Sequence, residues 1–190
     1  MSLVLDLIFP RRCYLCHQIG TYLCPNHQFH LQSINNFSTG PLESSLSLFR
    51  YRGPIRQMII DLKYHFVSDL APTLSSLASQ SISAYFPQLL SYWRHHRYYL
   101  VPLPLHPRRL NWRGFNQAEI IGRLIASQLH LKYAQILTCH QNTFSSIPNP
   151  PDNILLFADI TTPSTFKSAA ATLRQLETKS VWALSLTGHR

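Results

Sequence analysis

Residues 101–117 read VPLPLHPRRLNWRGFNQ, and no other stretch constrains the chain as much. The apolar approach, residues 98–105, has the character of a short buried strand punctuated by Pro102 and Pro104. Pro107 then opens a basic loop carrying Arg108, Arg109 and Arg113. From Asn116 the apolar positions Ile120, Ile121, Leu124, Ile125 and Leu129 recur at helical spacing. Glu119 sits early, where a carboxylate complements the positive end of a helix. The unit is strand, arginine loop, helix. Residues 94–113 hold five arginines, three histidines and no acid, so an anion is the partner expected on this face. A solvated basic loop without a ligand is the plain alternative.

This order of residues resembles the ComF family of phosphoribosyltransferase-like proteins, in which a VPVPL-type strand runs into an arginine-bearing RGFNQ turn. Arg113, Gly114, Phe115, Asn116 and Gln117 match that turn without a gap. The resemblance covers nearly the whole chain. It implies an α/β fold with a mainly parallel sheet of the type I phosphoribosyltransferase kind. It also implies phosphoribosyl pyrophosphate or another phosphorylated small molecule as ligand, met by Arg108, Arg109 and Arg113. The biological role it implies is competence and DNA uptake, with single-stranded DNA and competence proteins as partners.

With 190 residues, 45% of them hydrophobic, the chain can bury one substantial core and carry a small accessory module. No apolar run approaches the ~20 residues that span a bilayer. The N-terminal MSLVLDLIFPRRC has an acid inside its apolar run and its arginines after it, the reverse of a secretory signal, so a cytoplasmic protein is expected. The formal charge of +9 favours polyanions and says nothing of fold.

Cys13 and Cys16 form a C-x2-C pair, and Cys24 and His27 form a C-x2-H pair. Two such knuckles brought together supply a Cys3His set for a closed structural zinc site, whose binding energy can fold a segment too short for a core of its own. His17 and His30 are alternative fourth ligands, but only His27 gives the second knuckle its spacing. Reduced, packed cysteines and disulfides among residues 13–24 are the competing readings; a cytosolic compartment disfavours the second. ComF-like proteins often open with a paired-cysteine module, usually of four cysteines, with His27 here in the fourth place. Cys139, remote in sequence, reads as an isolated buried thiol.

Residues 31–45, with Gly40 and Pro41, read as a linker, which divides the chain into a knuckle module over 1–40 and the main domain over 41–190. A strand is expected over 46–51. A helix after Gly53 and Pro54 should bury Ile55, Met58, Ile59, Leu62 and Phe66, and a second helix Leu70, Leu74, Leu77, Ala78, Ile82 and Tyr85, with Pro87 limiting it. Tyr51, Gly53, Lys63 and Tyr64 echo the family pattern, which makes Lys63 a candidate phosphate contact. Its alternative role is to face the helix C-terminal carbonyls. Residues 88–97 interleave basic and aromatic side chains. They suit either single-stranded nucleic acid or, as preferred here, an amphipathic approach to the central strand.

Residues 153–158, NILLFA, form a strand-type run ending on Asp159. A hydroxyl-rich turn with Thr161, Thr162, Pro163, Ser164 and Thr165 then leads into a helix bearing Phe166, Ala169, Ala170, Leu173 and Leu176, and a last strand covers 180–186. Strand, small polar loop and helix is the phosphate-cradling arrangement of open parallel sheets. The segment is similar to the phosphoribosyl-pyrophosphate loop of type I phosphoribosyltransferases, where two aspartates precede a TTGxT-type turn. That similarity casts Asp159 as the catalytic-site carboxylate and Thr161, Thr162, Ser164 and Thr165 as phosphate contacts. Magnesium is expected only if phosphoribosyl pyrophosphate binds.

The match is impaired, because Ala158 stands in the place of the first aspartate and Pro163 in that of the glycine. Alanine accepts no ribose hydroxyl, and proline offers no N–H. The interval 132–152, with Pro148, Pro150 and Pro151, is short for the strand pair and mobile lid that the resembling proteins carry there. A transferase with activity reduced or lost is therefore expected; a non-catalytic DNA- or protein-binding module using the basic face and knuckle is the alternative.

Overall fold

Residues 153–158 are apolar without alternation, a pattern a strand tolerates when both of its faces are covered. The computed structural model, which describes residues 10–28, 33–34, 42–140, 143–161 and 163–188, shows that cover. The first half comprises α1 (Pro25–Gln28), β1 (Ser33–Ile34), β2 (Ser44–Arg50), α2 (Gly53–Tyr64), α3 (Leu70–Tyr85), α4 (Pro87–His95) and β3 (Tyr99–Pro102). The second comprises α5 (Pro107–Arg113), α6 (Gln117–Gln128), β4 (Lys132–Tyr133), β5 (Leu137–His140), β6 (Thr143–Ser146), β7 (Asn153–Thr161), α7 (Pro163–Arg174) and β8 (Ser180–Gly188).

The main sheet has the order β1-β2-β8-β7-β3-β4. Its five strands from β2 to β4 are mutually parallel, and β1 is an antiparallel edge. The fold is therefore α/β with a largely parallel sheet. Alternation along β7 sends Leu155 and Phe157 into one core with α2, α3 and α6, and Ile154, Leu156 and Ala158 into a second with Phe166, Ala169, Ala170 and Leu173 of α7. Gly122 lets α6 lie close on the first face: a Cβ there would stand 2.9 Å from Leu100 Cδ2 and 3.1 Å from Phe157 Cδ1.

Several expectations change. Phe66 and Tyr85 do not join the buried faces of their helices, being 45% and 63% exposed, because α2 ends at Tyr64 and Tyr85 falls on the last residue of α3. Pro87 does limit α3, but it also starts α4, since a proline without N–H is at home in a first turn. The linker over 31–45 lies largely outside the described residues, yet β1 and the first residues of β2 fall within it, and β1 pairs with β2 farther along, at Ser47 and Phe49. The knuckle is not isolated from the main domain either: Cys13, Leu23 and Cys24 are buried in the first core. The interval 132–152, short as it is, holds β4 and the β5–β6 hairpin, whose connection, residues 141–142, lies outside the described residues.

Candidate functional site

β3 continues outward to β4, whereas β7 continues in the opposite direction to β8, so strand order reverses between β3 and β7. In open parallel sheets the crevice at the carboxyl ends of such strands is where ligands bind. Here it is a cleft of about 1070 Å³, with Leu103, Pro104 and His106 from the end of β3 on one side and Asp159, Ser164 and Thr165 on the other.

The β7 alternation turns Asp159 toward α2 and α6, on the side of Leu155 and Phe157. There its Oδ2 meets the Lys63 ammonium, and its Oδ1 accepts from Gln117 Nε2 at 3.0 Å. Both ends of this pair are sheltered, with side-chain exposures of 14% for Lys63 and 6% for Asp159. Lys63 thus neither lies idle on the surface nor faces its own helix carbonyls; it stands in the cleft, already paired with a carboxylate.

Arg113 is placed differently from the sequence expectation. It is buried, and it donates from Nε to the Lys63 carbonyl at 3.0 Å and from Nη1 to Gln117 Oε1. Burial draws its pKa below the ordinary arginine value, with the Asp159 charge opposing that shift. Arg113 does not line the cleft. It braces the groups that hold Asp159. Asn116 supports the same corner, capping α6 at Ala118 N and donating to the Leu103 carbonyl, each at 3.0 Å.

Arg108 and Arg109 do line the cleft, but on a short helix, α5, instead of a loop. His106 caps that helix by accepting from Arg108 N, and Gly114 ends it with φ of 78°, in the left-handed region that glycine tolerates. The basic face expected over 94–113 is not one surface. Arg97 opens onto a separate pocket with Tyr99 and Asn153, at the amino ends of β3 and β7, while Arg94 donates to the Leu129 carbonyl at 2.8 Å. In α4, Leu90 and Trp93 are buried, as the amphipathic reading of residues 88–97 expected.

The hydroxyl-rich turn is also corrected. Strand β7 runs past Asp159 to Thr161, and Pro163 is already the first residue of α7. Thr162, the one residue between the two elements, lies outside the described residues. Ser164 is exposed and Thr165 half-buried in the first turn of α7, where backbone N–H groups favour an anion. Cys139 is not a buried thiol but a half-buried residue lining the cleft beside Phe144, because the hairpin packs over α7. Magnesium is held in such sites by carboxylates together with ligand phosphates. Asp159, the one carboxylate among the described lining residues, is occupied by Lys63 and Gln117, so the residues present do not fit that metal.

In the N-terminal segment, Cys13, Cys16, Cys24 and His27 bring their ligand atoms within 4.8 Å of one another. Cys16 and Cys24 sulfurs are 3.8 Å apart, and Cys13 Sγ is 3.5 Å from His27 Nδ1. A tetrahedral zinc with Zn–S near 2.3 Å requires sulfur separations of about 3.8 Å, so the donor set fits that ion. All the cysteines are free thiols, which removes the disulfide reading. Burial opposes ionisation of Cys13, but backbone hydrogen bonds from Cys16, Cys24 and Leu15 outweigh it and bring the thiol to about 5. Burial and the neighbouring thiols push Cys24 up. His17 lies outside the cluster with φ of 59°, and His30 lies outside the described residues. Tyr14 and Arg11 fasten the knuckle to the main domain, through Tyr14 Oη to Asp61 at 2.6 Å and Arg11 to Asp69 at 2.7 Å.

No protein-family model matches this chain, and neither does any curated protein. Among the described residues, no helix is long and apolar enough to cross a membrane.

Proposed function

We propose that this chain is a ComF-like protein of phosphoribosyltransferase type whose cleft binds the phosphate of a phosphorylated small molecule and whose transferase chemistry is reduced or lost. Supporting the first part are Arg108, Arg109 and the first turn of α7, which line the same cleft. The observation that carries the second is the Lys63–Asp159 pair. The carboxylate that would receive ribose hydroxyls is committed to an ammonium, and its neighbour is Ala158. Ribose hydroxyls would compete for this carboxylate with a sheltered ammonium and the Gln117 amide. The partners proposed with this reading are phosphoribosyl pyrophosphate or a related phosphorylated compound, and single-stranded DNA and competence proteins in a competence setting.

Calorimetric titration with phosphoribosyl pyrophosphate, ribose 5-phosphate and inorganic pyrophosphate, each with and without magnesium, tests it. The expected result is binding weaker than ~100 μM, or about −5.5 kcal/mol, with little magnesium dependence and no pyrophosphate release. Tight, magnesium-dependent binding with turnover would restore an active transferase. Absence of binding by all three at millimolar concentration would remove the anion cleft.

A further inference from the structure

Tyr64, Phe66 and Trp112 form one exposed aromatic patch, with fractional exposures of 55%, 45% and 56%. The Trp112 ring joins the other two, its centroid 6.1 Å from Tyr64 and 5.2 Å from Phe66. The rings come from the end of α2, the residue just beyond the following histidine, and the end of α5, so tertiary packing assembles the patch. Phe66 has φ of 57°, in the left-handed region that a bulky side chain avoids. Contiguous aromatic surface of this kind on a water-soluble face marks a site of interaction.

The exposed charge that α5 adds is of one sign: Arg108 and Arg109 are exposed and the helix carries no acid, while the buried Arg113 guanidinium lies 5.9 Å from the centroids of both Tyr64 and Trp112. The nearest acid on α2, Asp61, already accepts from Tyr14 and Gln57 and meets His65 at 2.7 Å. An apolar centre with a cationic rim selects a partner with an apolar anchor and anionic flanks.

We propose that this patch docks a protein partner through an acidic segment bearing an aromatic or leucine anchor. Ring geometry favours a side chain over a nucleic-acid base. The planes are tilted by 53° and 60°, so the rings pack against one another's edges and do not offer the parallel faces on which successive bases stack. Trp, Tyr and Arg are also the residues that concentrate binding energy in protein interfaces. Because Tyr64, Arg108 and Arg109 line the cleft as well, the bound segment stands at its mouth.

The test uses the full chain labelled with ¹⁵N at the tryptophan indoles. The probe is a short synthetic peptide with a central Phe-Leu pair flanked by glutamates; controls are its Glu→Gln counterpart and an oligothymidylate of equal charge. The acidic peptide should displace the Trp112 indole signal while leaving those of Trp93 and Trp182 in place. Measured by calorimetry, which does not depend on the Trp112 signal, Trp112→Ala, and separately Arg108→Glu with Arg109→Glu, should each weaken peptide binding at least ~10-fold. These positions are exposed, and the Trp93 and Trp182 signals report that each variant is folded. No displacement at millimolar peptide, or equal affinity in both variants, overturns the proposal. So does oligothymidylate moving the Trp112 signal at lower concentration than the peptide, which would make the patch a nucleic-acid surface.

Discussion

The Lys63 ammonium rests against Asp159 Oδ2 inside the cleft, although one residue comes from the last turn of α2 and the other from the end of β7. This pair closes a network in which Arg113 bridges Gln117 and the Lys63 carbonyl, and Gln117 bridges Arg113 and Asp159.

Leaving either charge alone in this sheltered position is costly. Lys63→Met should destabilise the fold by about 3 kcal/mol in chemical denaturation, the low end for a broken buried pair because Lys63 keeps some solvent contact. Adding Asp159→Leu should return most of that loss, since no unpaired charge remains. Near-neutral single variants would show that the pair carries no structural weight.

Arg113 and the α5 arginines should separate in their effects. Arg113→Lys retains the charge but loses the fork that reaches two acceptors at once, at a cost of about 1–3 kcal/mol in stability. Affinity of the folded protein for pyrophosphate should move less than ~3-fold, as expected for a group outside the cleft. Arg108→Ser with Arg109→Ser should leave stability within about 0.5 kcal/mol and lower that affinity, with a shallower salt dependence. The reverse pattern would place Arg113 against the ligand.

The knuckle should hold about one zinc per chain, lost on Cys16→Ser or strong chelation. Because Tyr14 is hydrogen-bonded to Asp61, metal loss should accelerate amide exchange in residues 61–66 as well as 13–27. Tyr14→Phe should keep the zinc yet loosen residues 61–66. Metal analysis finding none in reduced, freshly purified protein would end this claim.

The proposed likeness of this loop to a phosphoribosyl-pyrophosphate loop is tested by two changes. Ala158 lines the cleft, and Pro163 begins α7, so Ala158→Asp supplies an acceptor and Pro163→Gly frees the entry to the helix. Together they should improve phosphoribosyl pyrophosphate affinity more than either alone, by ~10-fold or more in calorimetry. No gain from the double variant would mean that this loop does not correspond to the phosphoribosyl-pyrophosphate loop it resembles.

Local pattern was enough for much of this. The continuous apolar run at 153–158, the 3.6-residue spacing after Asn116 and the paired Cys/His spacing depend on neighbours in sequence, and strand, helix and ligand cluster follow from them. What local pattern cannot contain is which distant group faces which. The charge of Arg113 was legible, but its direction was decided by the Lys63 carbonyl and by Gln117. Nothing along the chain marked Gln117 as the link to Asp159, except that a glutamine opening an amphipathic helix was about to be buried. Residues 94–113 read as one basic face because they are contiguous, yet β3 carries the chain from one end of the sheet to the other and sends their charges to opposite ends. Phe66 read as core by periodicity, but α2 stops at Tyr64 and the backbone turns it outward to Trp112. Periodicity and spacing are properties of neighbouring residues, so sequence alone determined the central strand, the helix after Asn116 and the Cys/His ligand set. Pairing of charges and rings depends on crossovers between strands, so the tertiary structure alone decided the cleft and its neighbouring patch.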